Sequence, residues 1–169
     1  MTKEQIEVLR KTVNIFIDFE ASGLHPDSYP IEIGIVHDNT KYQKYIKPVY
    51  HWTYWCYNAQ DIHNIKRETL INEGFDVVNI ATELNSLFSG KTLWANANAD
   101  KFWMDSLFEE SGIEREFNIS NILNVLPEEY HSLLEKEMSS MNEHRALADA
   151  MELQRAWQSF LNKIEKDSL

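Results

Sequence analysis

Apolar and polar positions along the 169-residue chain predict three strands first, then helices and strands in alternation. Residues 13–17 are apolar apart from Asn14, the pattern of a strand buried on both faces and central in its sheet. Ile31, Ile33 and Ile35 alternate with Glu32, Gly34 and Val36, which predicts a half-buried second strand. Residues 37–40 carry a hairpin signal. Residues 41–46 form the return strand, whose lysines suit a sheet edge.

Helical periodicity dominates further along. Residues 3–11 are a polar lead-in with weak helical character, and residues 67–71 form a short helical piece stopped by Gly74. Over residues 75–88, Val77, Ile80, Ala81, Leu84, Leu87 and Phe88 fall on one face, with Gly90 as the end cap. Residues 92–95 predict a fourth strand. A helix follows from Ala97, with Ala99, Phe102, Trp103, Leu107 and Phe108 on its buried side. Residues 117–123 predict a fifth strand, and Pro127 fits the first turn of a helix running through Leu133 and Leu134. Ala146, Ala150, Leu153, Trp157, Phe160 and Ile164 form the clearest helical stripe, with Asn142 as its cap. The order predicts an α/β or α+β domain with a mixed sheet, and the length fits one domain over 1–169.

Composition narrows the class. With 43% hydrophobic residues the chain is globular and not disordered. Its single cysteine, Cys56, excludes an intramolecular disulfide and a cysteine zinc cluster, and fits a reducing compartment. The first residues lack the apolar core of a signal peptide, and no apolar run approaches the length of a membrane span, so the expectation is a cytoplasmic protein with no membrane partner. A net charge of −11 argues against coating long nucleic acids through phosphate contacts, but not against gripping one end of a short strand. The aromatic stretch of residues 50–57 has two readings: loop residues packed over the core, or exposed rings on which bases stack. Oligomeric state stays open, a homodimer through that stretch being one reading.

The chemistry starts at the end of the first strand. Asp18 and Glu20 are two residues apart and therefore on one side of an extended chain. At a separation of about 4 Å and an effective dielectric near 20, two ionised carboxylates repel by about 4 kcal/mol. A proton, a basic neighbour or a divalent cation would offset this; no Lys or Arg lies between Lys11 and Lys41, which makes the metal reading worth pursuing. Asp100 opens the helix after the fourth strand. Asp149 lies between Ala148 and Ala150 beside the final stripe, where an unpaired acid is unusual. Four oxygen donors without thiolates suit Mg²⁺ or Mn²⁺, and two such ions can serve an in-line phosphodiester displacement. His144, just before the last helix, fits a general base, since histidine ordinarily titrates near neutrality.

Three motifs now resemble a known family. Ile-Asp-Phe-Glu-Ala-Ser-Gly-Leu (17–24), Ala-Asn-Ala-Asn-Ala-Asp (95–100) and His-Arg-Ala-Leu-Ala-Asp-Ala (144–150) are similar to the motifs of the DEDDh 3′→5′ exonucleases. This DnaQ-like group includes the proofreading subunit of bacterial DNA polymerase III, RNase T and oligoribonuclease. Ile62-His63-Asn64-Ile65 with Leu70 resembles the His-Gly-Ile segment between the first two motifs. The likeness spans residues 13 to about 157. It departs where Ala95 and Ala99 replace a His and a Phe, and where Asn64 replaces Gly. The resemblance implies an RNase H-like fold with a five-stranded mixed sheet flanked by helices. It implies that Asp18 bridges two ions, that Glu20 and Asp149 hold the ion that activates water, that Asp100 supports the second ion and that His144 accepts the proton. The backbone around Phe19 and Ala21 and the side chain of Leu24 would contact the terminal nucleotide, with His63 and Asn96 as further substrate contacts. Nucleic-acid 3′ ends, DNA or RNA, would be the partner, and nucleoside 5′-monophosphates the product.

Two other readings belong beside this one: an RNase H-like endonuclease, and a catalytically silent interaction domain of the same fold.

Overall fold

A computed structural model describes residues 1–140 and 143–168. Strands β1 (Ile15–Ala21), β2 (Pro30–His37), β3 (Thr40–Tyr45), β4 (Thr92–Ala95) and β5 (Asn118–Asn121) form one sheet in the order β3-β2-β1-β4-β5. β1, β2 and β3 pair antiparallel, whereas β1–β4 and β4–β5 are parallel, so the sheet is mixed with β1 at its centre. The helices are α1 (Lys3–Thr12), α2 (Tyr57–His63), α3 (Arg67–Glu73), α4 (Val77–Phe88), α5 (Ala99–Ser111), α6 (His131–Met138) and α7 (Ala146–Asp167).

Alternation along β1 sorts its side chains into two cores. Ile15, Ile17 and Phe19 join the core beneath α4 and α5, where Ile80, Leu84, Met104 and Leu107 meet them. Phe16 points the other way, into the core under α7 with Trp157 and Phe160. Asp18 and Glu20 continue the Phe16 side, so α7 lies over both acids. β1 is longer than the apolar run predicts and contains the two acids, because β2 pairs with it as far as Ala21, with an irregularity between Glu20 and Ala21.

Several expectations need correction. β2 is not half-buried; Pro30 through Val36 are all buried, because α7 covers one face and the α4 side the other. On α4, Leu87 is exposed and Asn85 takes the inward position, its amide donating to the Glu114 carbonyl and accepting from the Glu116 amide. On α5, Ala99 and Phe102 are exposed and Met104 is buried, a rotation of the inward face by part of a turn. The fifth strand ends at Asn121, whose side chain caps a 3-10 turn over Ile122–Val125. Pro127 precedes a second 3-10 turn, Glu128–Tyr130, and α6 begins after it. Asn142 lies outside the described residues, and Arg145 occupies the N-cap of α7.

The aromatic stretch divides between its two readings. Trp52 is buried and stacks on Tyr29 at 5.3 Å, whereas Tyr50 and Tyr57 are exposed. Tyr57 opens α2, a helix with no counterpart in the sequence expectations. That helix ends on Asn64 at φ 59°, a left-handed position where Gly is easiest and Asn the next most tolerant. The Gly-to-Asn departure in that motif is thereby explained.

Candidate active site

Three carboxylates converge at the end of β1. Ligand oxygens of Asp18, Glu20 and Asp149 lie within 4.8 Å of one another. Two come from adjacent same-side positions of β1, and the third from the first turn of α7. Asp100, on the first turn of α5, accepts the Phe19 amide at 3.1 Å through Oδ1, which ties α5 to the strand between the two acids. It acts electrostatically on Asp18 and Glu20, and Asp149 acts on it, without its joining the 4.8 Å cluster. Asp100 and Asp149 are buried, whereas Asp18 and Glu20 are partly open to solvent.

α7 reaches the acids because β2 has no side chain in its way. Gly34 pairs with Asp18 across the strands, and a methyl there would overlap the backbone of Ala146 and Leu147. Beyond the Phe19–Ile33 pair, Glu20 faces Glu32. Glu32 is fully buried and its carboxylate is saturated. Arg145 donates to Oε1 from Nε at 3.0 Å and to Oε2 from Nη2 at 2.7 Å. The Ala146 amide donates to Oε1 at 3.0 Å, and Gln43 donates to Oε2 at 3.1 Å. Arg145 also donates to the Tyr45 hydroxyl. The sequence offered no signal for this pair: an acid within an apolar alternation reads as the wet face of a strand, and its partner lies 113 residues away.

His144 sits exposed at the head of α7 with φ 52°, an uncommon conformation for a residue with a side chain. The Oδ1 of Asp149 is buried without a partner among the described residues.

Burial, more than mutual repulsion, dominates the electrostatics. Desolvation is the largest influence on all four carboxyls, with neighbouring acids adding to it. Asp18 is pushed well above the usual carboxylate range and Asp149 upward. Glu20 rises from 4.5 to about 8, and Asp100 from 3.8 to about 7. Arg145 pulls Glu20 the other way, so a basic neighbour does arrive from outside the local sequence, but its guanidinium is committed to Glu32. An all-oxygen donor set, an orphaned buried oxygen and charges that protein groups leave unbalanced together fit a hard divalent cation held by Asp18, Glu20 and Asp149.

A stability signature follows from these shifts. Groups bound to protons more tightly when folded stabilise the fold at low pH and lose that contribution as pH rises through the folded value. The Glu20 and Asp100 contributions are complete below about pH 4 and fade towards pH 8. In EDTA the melting temperature should therefore fall by several degrees between pH 5 and pH 8, and Mn²⁺ or Mg²⁺ should restore it at pH 8. Differential scanning fluorimetry reads both; a flat profile with no cation effect would exclude the shared site.

The other candidate contacts are scattered in burial. Leu24 is 99% exposed at the turn after β1, and Ala21 is partly buried. Phe19 is buried, leaving its backbone, whose amide Asp100 takes. Asn96, after β4, is partly buried. His63 is buried against Trp55, and burial lowers its pKa. Its Nδ1 accepts the Ile65 amide, so the neutral ring carries its proton on Nε2, an atom without a partner among the described residues.

No protein-family model and no curated protein matches the chain. Solved structures do. The zinc-ion-bound E. coli ExoI–ssDNA complex matches with TM-score 0.66 and 19% identity, over 90% of this chain and 40% of that one. E. coli exonuclease I in complex with a dT13 oligonucleotide matches with TM-score 0.66 and 17% identity, over 88% and 40%. Apo exonuclease I matches with TM-score 0.65 and 14% identity, over 90% and 44%. The chain thus spans about 40% of the length of the exonuclease I structures it matches. No described helix is long and apolar enough to cross a membrane. The chain has an RNase H-like fold, shared with exonuclease I.

Proposed function

We propose that this chain is a divalent-metal-dependent 3′→5′ exonuclease domain of the DEDDh kind, acting on single-stranded or short DNA or RNA. The observation that carries the reading is the convergence of Asp18, Glu20 and Asp149 within 4.8 Å on a fold shared with exonuclease I. The matched exonuclease I complexes contain ssDNA, which makes single-stranded DNA the first substrate to test.

In this reading Asp18, Glu20 and Asp149 would hold Mg²⁺ or Mn²⁺, and Asp100 would support a second ion. The bound cations supply Lewis-acid stabilisation of the attacking and leaving oxygens. His144, open to solvent at the head of α7, takes the proton of the attacking water on its imidazole. The exposed Leu24 side chain and the backbone at Phe19 and Ala21 grip the terminal nucleotide; Asn96 contributes from the end of β4, and His63 from beneath the surface. Hydrolysis releases nucleoside 5′-monophosphates.

Matched DNA and RNA oligonucleotides of several lengths, digested with Mg²⁺ or Mn²⁺ and resolved at single-nucleotide steps, test it. The expected pattern is shortening from the 3′ end, stopped by a 3′-phosphate. Internal fragments would identify an endonuclease instead, and no release from any strand would leave only a binding domain.

A further inference from the structure

We propose that Glu32 and Arg145 form a positioning device that fixes the backbone of His144; this rests on the exonuclease reading, in which His144 is the base. The residues that follow His144 are tied directly. Asp149 donates its own amide to the Arg145 carbonyl at 2.9 Å, at the start of α7. Glu32 accepts from the residues directly after His144, the Arg145 side chain and the Ala146 amide. His144 immediately precedes these ties at φ 52°, an uncommon conformation for a residue with a side chain.

The Glu32 anchor comes from β2, the strand that pairs with the metal-ligating β1. Glu32 faces Glu20 and Gly34 faces Asp18, so the reference frame for His144 is the same rigid strand pair that sets the two acids. The ion pair is bidentate, which fixes direction as well as distance. A general base must meet its water within a few tenths of an ångström, and misplacement by about 1 Å costs about 100-fold in rate. Glu32 and Arg145 act through His144 and take no proton themselves.

The test is a mutant cycle. Glu32→Gln should lower kcat about tenfold on a single-stranded oligonucleotide with KM changed less than about twofold, and should cost nothing further in a His144→Ala background. The double variant E32Q/R145Q, which leaves no unpaired buried charge, should behave alike and guards against misfolding. Hydrogen exchange of the metal-free protein gives a readout without catalysis: Glu32→Gln should speed exchange over residues 143–149 and leave β1 protected. Equal losses of kcat in both backgrounds, or unchanged exchange at 143–149, would overturn the proposal. Faster exchange at 143–149 in a protein that hydrolyses no strand would uphold the clamp and remove the exonuclease reading.

Discussion

Asp18→Asn should abolish nucleotide release, by more than about a thousandfold, while raising the melting temperature of the metal-free protein at pH 8. The two effects have one cause. The ionised form of Asp18 is disfavoured in the empty site, first by burial and then by Asp100, Glu20 and Asp149. A neutral amide of the same shape removes that cost in the empty site, and each pKa unit of such a shift corresponds to about 1.4 kcal/mol. The same change removes one of three converging oxygen anions and with it the attraction for a divalent ion. Scanning fluorimetry in EDTA and in Mn²⁺, alongside release from a labelled strand, separates the terms. A variant that keeps wild-type rates, or that gains stability from Mn²⁺ as the parent does, would sink the site assignment.

Gly34→Ala carries the second-largest effect, at a position with no chemistry of its own. Its added methyl overlaps backbone atoms of Ala146 and Leu147, which cannot rotate aside as a side chain would. The helix must lift away from β2, and overpacking of this kind costs about 3 kcal/mol at the upper end of its usual range. For a chain of this size that is about 6–12 °C in melting temperature. Activity should fall further than stability, by about 100-fold at temperatures where the protein is still folded, because α7 carries both His144 and Asp149. A thermal melt paired with kcat checks this. An alanine variant with the parent's rate and stability would mean that α7 does not seat on β2 as described.

These positions differ in how far they could be read from the chain alone. Asp149 is conspicuous because an acid between alanines contradicts the stripe around it, and Asp18 and Glu20 because they follow an apolar run; both are local anomalies. The α7 stripe is equally local, every third or fourth residue over six turns. Glu32 and Gly34 show no anomaly, since an alternating strand expects small or polar residues at every second place. Their importance comes from a helix more than a hundred residues later. α2 was missed for a different reason: it is two turns long, has no side-chain cap, and begins within a stretch whose rings dominate its composition. On α5 the apolar residues are spread round the helix, so spacing alone could not choose between Phe102 and Met104 as the inward residue.

The link between Arg145 and Glu32 closes a span of 113 residues, and the one between Phe19 and Asp100 closes 81. Loops of this length are costly to close early, so such contacts form once most of the sheet is in place. Asp18 and Glu20 are neighbours in the chain from the outset and Asp100 joins them through α5, but Asp149 meets them only when the last helix seats. The carboxylate cluster is therefore completed late in folding. Any lift of α7 from the strands removes Asp149 from the cluster before a residue of β1 has moved.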